Sequence, residues 1–158
     1  MEKNAVIDPT GLYRYSLSRE WDADGSRIVF VMLNPSRADG NIDDPTIRRC
    51  LGFAQTWGYG SLEVVNLFAY RTSHPNVLRH VTDPVGPDND LYLKEAVDLA
   101  HMIILAWGNG GSLEKRSQKV IKYLNNRKNI YCLGITKTGQ PLHPLYVKKY
   151  TQPVFYTP

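Results

Sequence analysis

Six consecutive apolar residues, Ile28-Val-Phe-Val-Met-Leu33, are cut off by Asn34, Pro35 and Ser36. This run constrains the fold more than any other part of the chain. A short run without polar alternation, closed by turn residues, fits a strand covered on both faces, as at the centre of a parallel sheet. Helices must then flank the sheet, joined to it by right-handed crossovers. In such sheets ligands sit beyond the carboxyl ends of the strands. Asn34 and Ser36 are the first polar groups at that end and the first candidates for a site.

Three further runs share the character of the first: Ser61-Leu-Glu-Val-Val-Asn-Leu-Phe68, His101-Met-Ile-Ile-Leu-Ala-Trp107 and Asn129-Ile-Tyr-Cys-Leu-Gly134. Helical patterns lie between them. Asp44-Pro45 opens one as N-cap and first helical residue, Ile47, Cys50, Leu51, Ala54 and Trp57 form its apolar stripe, and Gly58 ends it. A second is capped by Asp88 or Asn89, and a third, basic helix by Ser112, with Leu113, Val120, Ile121 and Leu124 on its inner face. Ahead of the first strand, the alternating segment Tyr13 to Trp21 and the turn Asp22 to Gly25 read as an edge hairpin feeding it. The expectation is a single α/β domain over residues 1–158. It is a three-layer α/β/α sandwich with a central four-stranded, mainly parallel sheet and an N-terminal edge hairpin.

Charge is divided unevenly along the chain. Residues 1–111 carry 10 Lys/Arg against 14 Asp/Glu, whereas residues 112–158 carry nine basic residues against Glu114 alone. Such a basic segment is either a polyanion-binding face or a solvated helix surface. Arg48 and Arg49 stand in the first turn of their helix, where the dipole disfavours cations. They therefore answer to Asp39, Asp43 or an anionic ligand. Cys50 and Cys132 are isolated in apolar patterns and read as buried free thiols, which places the chain in a reducing, cytoplasmic setting. No apolar run approaches the roughly 20 residues of a membrane span. The N-terminus lacks a signal-peptide core.

Four polar clusters fall at the ends of the four strands: Asn34-Pro-Ser36, Asn66 to Arg71, Trp107-Gly-Asn109 and His143-Pro144. A parallel sheet gathers such ends on one rim. Asn66, an amide inside an apolar strand, must find hydrogen-bond partners in the backbone or in a ligand's donor/acceptor edge. There is no Walker loop, no nucleophile elbow and no cluster with metal-ligand spacing, and Gly108-Asn-Gly-Gly111 is too short a signal for a dinucleotide fingerprint. No cofactor and no metal are expected.

The order of these motifs, over residues 28 to 148, resembles the uracil-DNA glycosylase superfamily. There the first strand ends in Gly-x-Asn-Pro-Gly or Gly-x-Asp-Pro. Here the matching residues are Leu33-Asn34-Pro35-Ser36, without the glycines. Asn66 stands where the family's strand-two Asn reads a flipped base, Leu105-Ala-Trp-Gly108 matches its apolar-Trp-Gly strand end, and His143-Pro144 matches its His-Pro-Ser loop. The resemblance implies that Asn34 holds the attacking water and His143 stabilises the departing base. Leu33, Pro35, Ser36, Asn66, Phe68, Trp107 and Asn109 would then touch the base or ligand. Asp39, Asp44, Arg48, Arg49 and Arg71 would meet sugar or phosphate, or simply order their loop. Lys115, Arg116, Lys119, Tyr146 and Lys148 would form a nucleic-acid face. The whole chain also resembles, more closely, a bacterial and phage family of proteins of unknown function, DUF1643. That likeness rests on Leu33-Asn-Pro-Ser-Arg-Ala-Asp39, Asp44-Pro-Thr-Ile-Arg-Arg49, Asn66-Leu-Phe-Ala-Tyr-Arg71, Pro84-Val-Gly-Pro-Asp-Asn89 and Ala106-Trp-Gly108, and it implies no particular activity. The expected function is binding of a nucleobase or nucleic acid, with hydrolysis of the N-glycosidic bond of a modified or damaged base. The alternatives are a non-catalytic nucleic-acid or partner-protein module and an enzyme acting on free nucleosides or nucleotides.

Overall fold

The computed structural model describes residues 1–157. The four apolar runs form β3 (Arg27–Met32), β4 (Ser61–Asn66), β5 (Met102–Leu105) and β6 (Ile130–Cys132). They are neighbours and parallel, with Met32 beside Asn66, Val31 beside Leu105, and Leu105 beside Cys132. Their carboxyl ends therefore share one rim. The sheet is wider than the expected four strands. It has seven, in the order β1-β2-β4-β3-β5-β6-β7, with β1 (Glu2–Ile7), β2 (Arg14–Glu20) and β7 (Val154–Phe155) antiparallel at the edges. Edge strands bury little, and β1 and β7 are largely exposed. Hydrophobic pattern alone does not reveal them.

The expected hairpin through Asp22–Gly25 does not form: β2 pairs with β1 on one side and with β4, not β3, on the other. Two glycines explain the crossing. The amides of Trp21 and Asp22 both donate to Gly60 O at 3.0 Å, and Gly60 N donates to Ser26 O at 2.8 Å. A Cβ on Gly60 would lie 2.3 Å from Asp22 O, and one on Gly25 would lie 2.7 Å from Gly60 Cα. The turn after β2 thus nests against the turn before β4, which fixes that pairing.

Helix α1 (Pro45–Thr56) begins as expected, with the Asp44 carboxylate accepting from Ile47 N at 2.9 Å. Its buried residues Ile47, Cys50, Leu51, Phe53 and Ala54 pack with Leu17, Phe30, Met32, Leu62 and Val64 in one core. Helices α2 (Asn89–Leu99) and α3 (Arg116–Leu124) pack on Val29, Val31, Val65, Leu67, Ile103 and Leu105 in a second core. Alternate residues of β3 and β4 feed the two cores, so helices cover both faces of a mixed α/β sheet. Ser112 does not cap the basic helix. Its hydroxyl donates to Asn109 O inside a 3-10 segment, and α3 starts only after Glu114 and Lys115, both at positive φ. The cause is Gly111: a Cβ there would lie 2.2 Å from the Trp107 indole, so the chain is pressed flat on that ring before it can turn into a helix. No helix among the described residues is long and apolar enough to cross a membrane. Both cysteines are free and buried.

Candidate functional site

Where β3, β4 and β5 end, a cavity of about 610 Å3 opens on the α1 side of the rim. A volume of this size falls within the few hundred to one thousand Å3 typical of small-molecule sites. Asn34, Asn66 and His143, which are far apart in sequence, all line it. So do Leu33, Pro35, Ser36, Asp44, Trp107, Asn109 and Tyr146.

Each polar group at the site has a defined hydrogen-bonding state. Asn34 Nδ2 donates to Thr72 O at 2.9 Å and to Pro35 O at 3.0 Å. Its Oδ1 has no partner among the described residues and remains an acceptor. His143 Nδ1 accepts from Leu145 N at 3.1 Å. The neutral ring must then carry its proton on Nε2. Burial pushes the His143 pKa below its ordinary value, opposed by the charge of Asp44, so the ring is a neutral donor at neutral pH. Ser36 and Ser73 share a hydrogen bond of 2.7 Å at the rim. Asn109 Oδ1 accepts from the hydroxyls of Thr136 and Thr138, each at 2.6 Å. Trp107 Nε1 donates to Gln140 Oε1 at 2.8 Å, which fixes the indole whose edge borders the cavity.

Asn66 differs from all of these. Its side chain is 1% exposed, and neither Oδ1 nor Nδ2 has a partner among the described residues. Leaving a buried polar group unpaired costs about 1–3 kcal/mol, and here one amide carries two such groups. A second buried polar side chain in the cavity wall, Arg14, was not singled out from the sequence. It is 2% exposed, and burial lowers its pKa to about 10. No local sequence pattern marks it, because the register shift between β1 and β2 sets where it points. The cations that pair with the acidic loop are Arg19 in β2 and Lys3 in β1, both at Asp43. Arg19 is fully buried, pairs with Asp43 at 2.9 Å and donates to Asp39 O at 2.6 Å.

The remaining sequence candidates lie elsewhere. Phe68 is fully buried in the core beneath α2 and α3 and does not line the cavity. Asp39 accepts from the amides of Asn41 and Ile42, both at 2.8 Å, which order its own loop. Arg71 donates to the carbonyls of Ser36 and Gly11 and does not reach the cavity. Asp44 lines the cavity, but its two oxygens accept from Ile47 N and Ala38 N. Arg48 and Arg49 face a neighbouring groove, of about 430 Å3, together with Lys149. That groove shares Leu145 with the cavity. Arg116 is buried rather than presented to solvent: Nε donates to Leu67 O at 2.8 Å, and the guanidinium pairs with Asp90. Lys115, Lys119 and Lys148 are exposed and do not line the cavity. No group of three or more His, Cys, Asp or Glu among the described residues is placed to hold a metal ion.

Residues 14–145 match the family model described as "Protein of unknown function (DUF1643)". No curated protein and no solved structure matches the chain.

Proposed function

The chain belongs to the DUF1643 family, and we propose that its strand-end cavity binds a nucleobase and hydrolyses the N-glycosidic bond that holds it, in the manner of the uracil-DNA glycosylases it resembles. The observation that carries this reading is Asn66. An amide whose donor and acceptor are both unpaired, at the wall of a cavity also lined by Asn34 and His143, is complementary to a planar ligand that offers an acceptor beside a donor. A base edge has that form.

The chemistry assigned to the residues is balanced by water. As the bond from C1′ to the base breaks, its electron pair goes to the base and leaves an oxocarbenium-like sugar. Nε2–H of His143 donates to the base oxygen where that charge gathers. Asn34 Oδ1 accepts a hydrogen bond from water and holds it for addition to C1′. Asn34 is no base, so the water's proton passes to the released base or to solvent, and the rate rests on positioning. The groove lined by Arg48, Arg49 and Lys149 adjoins the cavity through Leu145 and offers cations to a phosphate chain. Arg116, being buried, drops out of the nucleic-acid face, which in this reading keeps Lys115, Lys119, Tyr146 and Lys148.

One observation favours a second reading, a binding module without catalysis: Asp44, the only carboxylate among the described residues that line the cavity, is engaged by two backbone amides. A screen of oligonucleotides bearing modified bases separates the two. Base release by the wild type, lost in Asn34→Ala and His143→Ala, supports glycosylase action. Binding without release, with an affinity that falls steeply with salt, supports the module. Release from free nucleosides alone, with no salt-dependent DNA binding, would favour an enzyme of free nucleosides or nucleotides.

A further inference from the structure

Strand β2 breaks its alternation at one place. Leu17 packs in the core beneath α1, and regular alternation would put Tyr15 on that same face and Arg14 on the other. The register against β1 shifts between Val6 and Ile7, so that Val6 pairs with Ser16 and Ile7 with Arg14. Tyr15 is thereby turned away and stacks on Tyr92 of α2, with ring centroids 5.2 Å apart. Arg14 is turned into the cavity instead, where Nη1 donates to Ala38 O at 3.0 Å. Bulges of this kind recur beside binding sites because they re-aim a side chain. Without it, continuation of the Leu17–Val64 pairing would set Tyr15 next to Asn66 and fill the space the cavity occupies.

The re-aimed guanidinium is poorly satisfied. It forms no ion pair among the described residues. Nε is buried without a partner, and Nη2 makes no hydrogen bond among the described residues. With Nη1 held by Ala38, the free pair is Nε–H and Nη2–H, two parallel donors on one edge of the fork. Such an edge matches two acceptor atoms set side by side in a plane.

We propose that Arg14 is the specificity-determining residue of the cavity and that it selects a planar ligand bearing two adjacent acceptor atoms. This rests on the base-binding reading for the identity of the ligand, but not for its acceptor pair. Two sources supply such a pair: the O6/N7 edge of a 6-oxopurine, and a carboxylate carried on a ring.

Calorimetric titration of the wild type with matched ligands tests the assignment. Hypoxanthine is compared with adenine, which replaces O6 by a donor, 5-carboxyuracil is compared with uracil, and benzoate supplies a ring carboxylate with no base edge. One paired-acceptor ligand is expected to bind roughly tenfold or more tightly than its partner. Preference for hypoxanthine names the purine edge, and preference for 5-carboxyuracil names the carboxylate. Arg14→Met should abolish that preference, and Arg14→Lys, which keeps the charge but loses the fork, should reduce it. The wild-type series stands alone if either variant misfolds. Benzoate binding that depends on Arg14, without binding of any base, upholds the assignment and overturns the base-binding reading. Bases bound with no preference, or a preference retained in Arg14→Met, overturn the assignment and leave that reading intact. A wild type that binds none of these probes also overturns the assignment.

Discussion

The side-chain amide of Asn89 donates to the carbonyl of Asn66 at 2.9 Å and to that of Leu67 at 3.1 Å. Past the end of β4 these carbonyls have no neighbouring strand to satisfy them, and the first residue of α2 takes that part. Arg116, from the start of α3, adds a donor to Leu67 at 2.8 Å. The residue with the unpaired amide in the cavity is thus held from behind by the two helices of the opposite face. Asn89→Ala should lower stability by about 1–3 kcal/mol, the cost of leaving buried acceptors short of a donor. It should also weaken ligand binding at the cavity more than its stability loss accounts for, because Asn66 loses its backbone support. Denaturant melts alongside calorimetry on the same preparations check both parts.

Arg19 offers a test of the acidic loop. It pairs with Asp43 at 2.9 Å, and its guanidinium also donates to the carbonyls of Asn4, Ser18 and Asp39. Arg19→Met removes the closer partner of a mostly buried carboxylate, which keeps only Lys3 at 3.7 Å, and should cost about 3–5 kcal/mol. Arg19→Met combined with Asp43→Leu should recover part of that loss, since the charge then left without a partner is that of Lys3, which water reaches. Urea midpoints for the single and double variants decide it. Equal losses in both would show that the backbone hydrogen bonds of Arg19, rather than the ion pair, hold residues 38–44 in place.

The sequence carried the central sheet clearly because Ile28 to Leu33 and its three counterparts are buried on both faces, and burial of that kind leaves an unbroken apolar run. The start of α1 was equally legible, since Asp44-Pro45 encodes its own cap. The edges were not. Glu2–Ile7 is half polar, and the pairing of β2 with β4 depends on the approach of Gly25 to Gly60, two residues whose contact no local pattern announces. At the site, Asn34, Asn66 and His143 could be found because polar residues at strand ends stand out against apolar runs. Arg14 could not, because its place in the cavity depends on a bulge between β1 and β2. Arg116 was misread as a surface cation because its neighbours Lys115 and Lys119 are exposed, and a basic cluster in sequence does not say which of its members faces inward.

That difference within the basic cluster can be measured. Arg116→Ala removes a buried donor to Leu67 and the partner of Asp90, and should destabilise by about 1–3 kcal/mol. Lys115→Ala and Lys119→Ala change exposed side chains and should stay within about 0.5 kcal/mol of the wild type. If the chain binds DNA, those two lysine variants should lower the salt dependence of binding, each by about one unit of slope for every phosphate the lysine neutralises. Thermal melts and fluorescence titrations at several salt concentrations give the two readouts separately. A lysine variant that melts like Arg116→Ala would place that lysine in the fold rather than on a surface.

The pH dependence of stability follows from His143. Burial holds its folded pKa below the ordinary value of 6.5. Above that value the ring is neutral in both folded and unfolded chains, and it contributes no slope. As pH falls through about 6.5, the unfolded chain takes up a proton that the folded chain resists. Stability then declines until the folded pKa is passed. Protonation also places a hydrogen on Nδ1, which can no longer accept from Leu145 N, so the turn at Pro144–Tyr146 loses the bond that anchors it beside the cavity. The wild type should lose stability from about pH 6.5 downward relative to His143→Gln, while the two curves run parallel above it. Subtracting the variant removes the carboxylate contributions common to both proteins. Parallel curves through the acid range, together with a His143 ring that titrates by NMR at an ordinary value, would show an imidazole open to water and unable to serve as the neutral donor of this site.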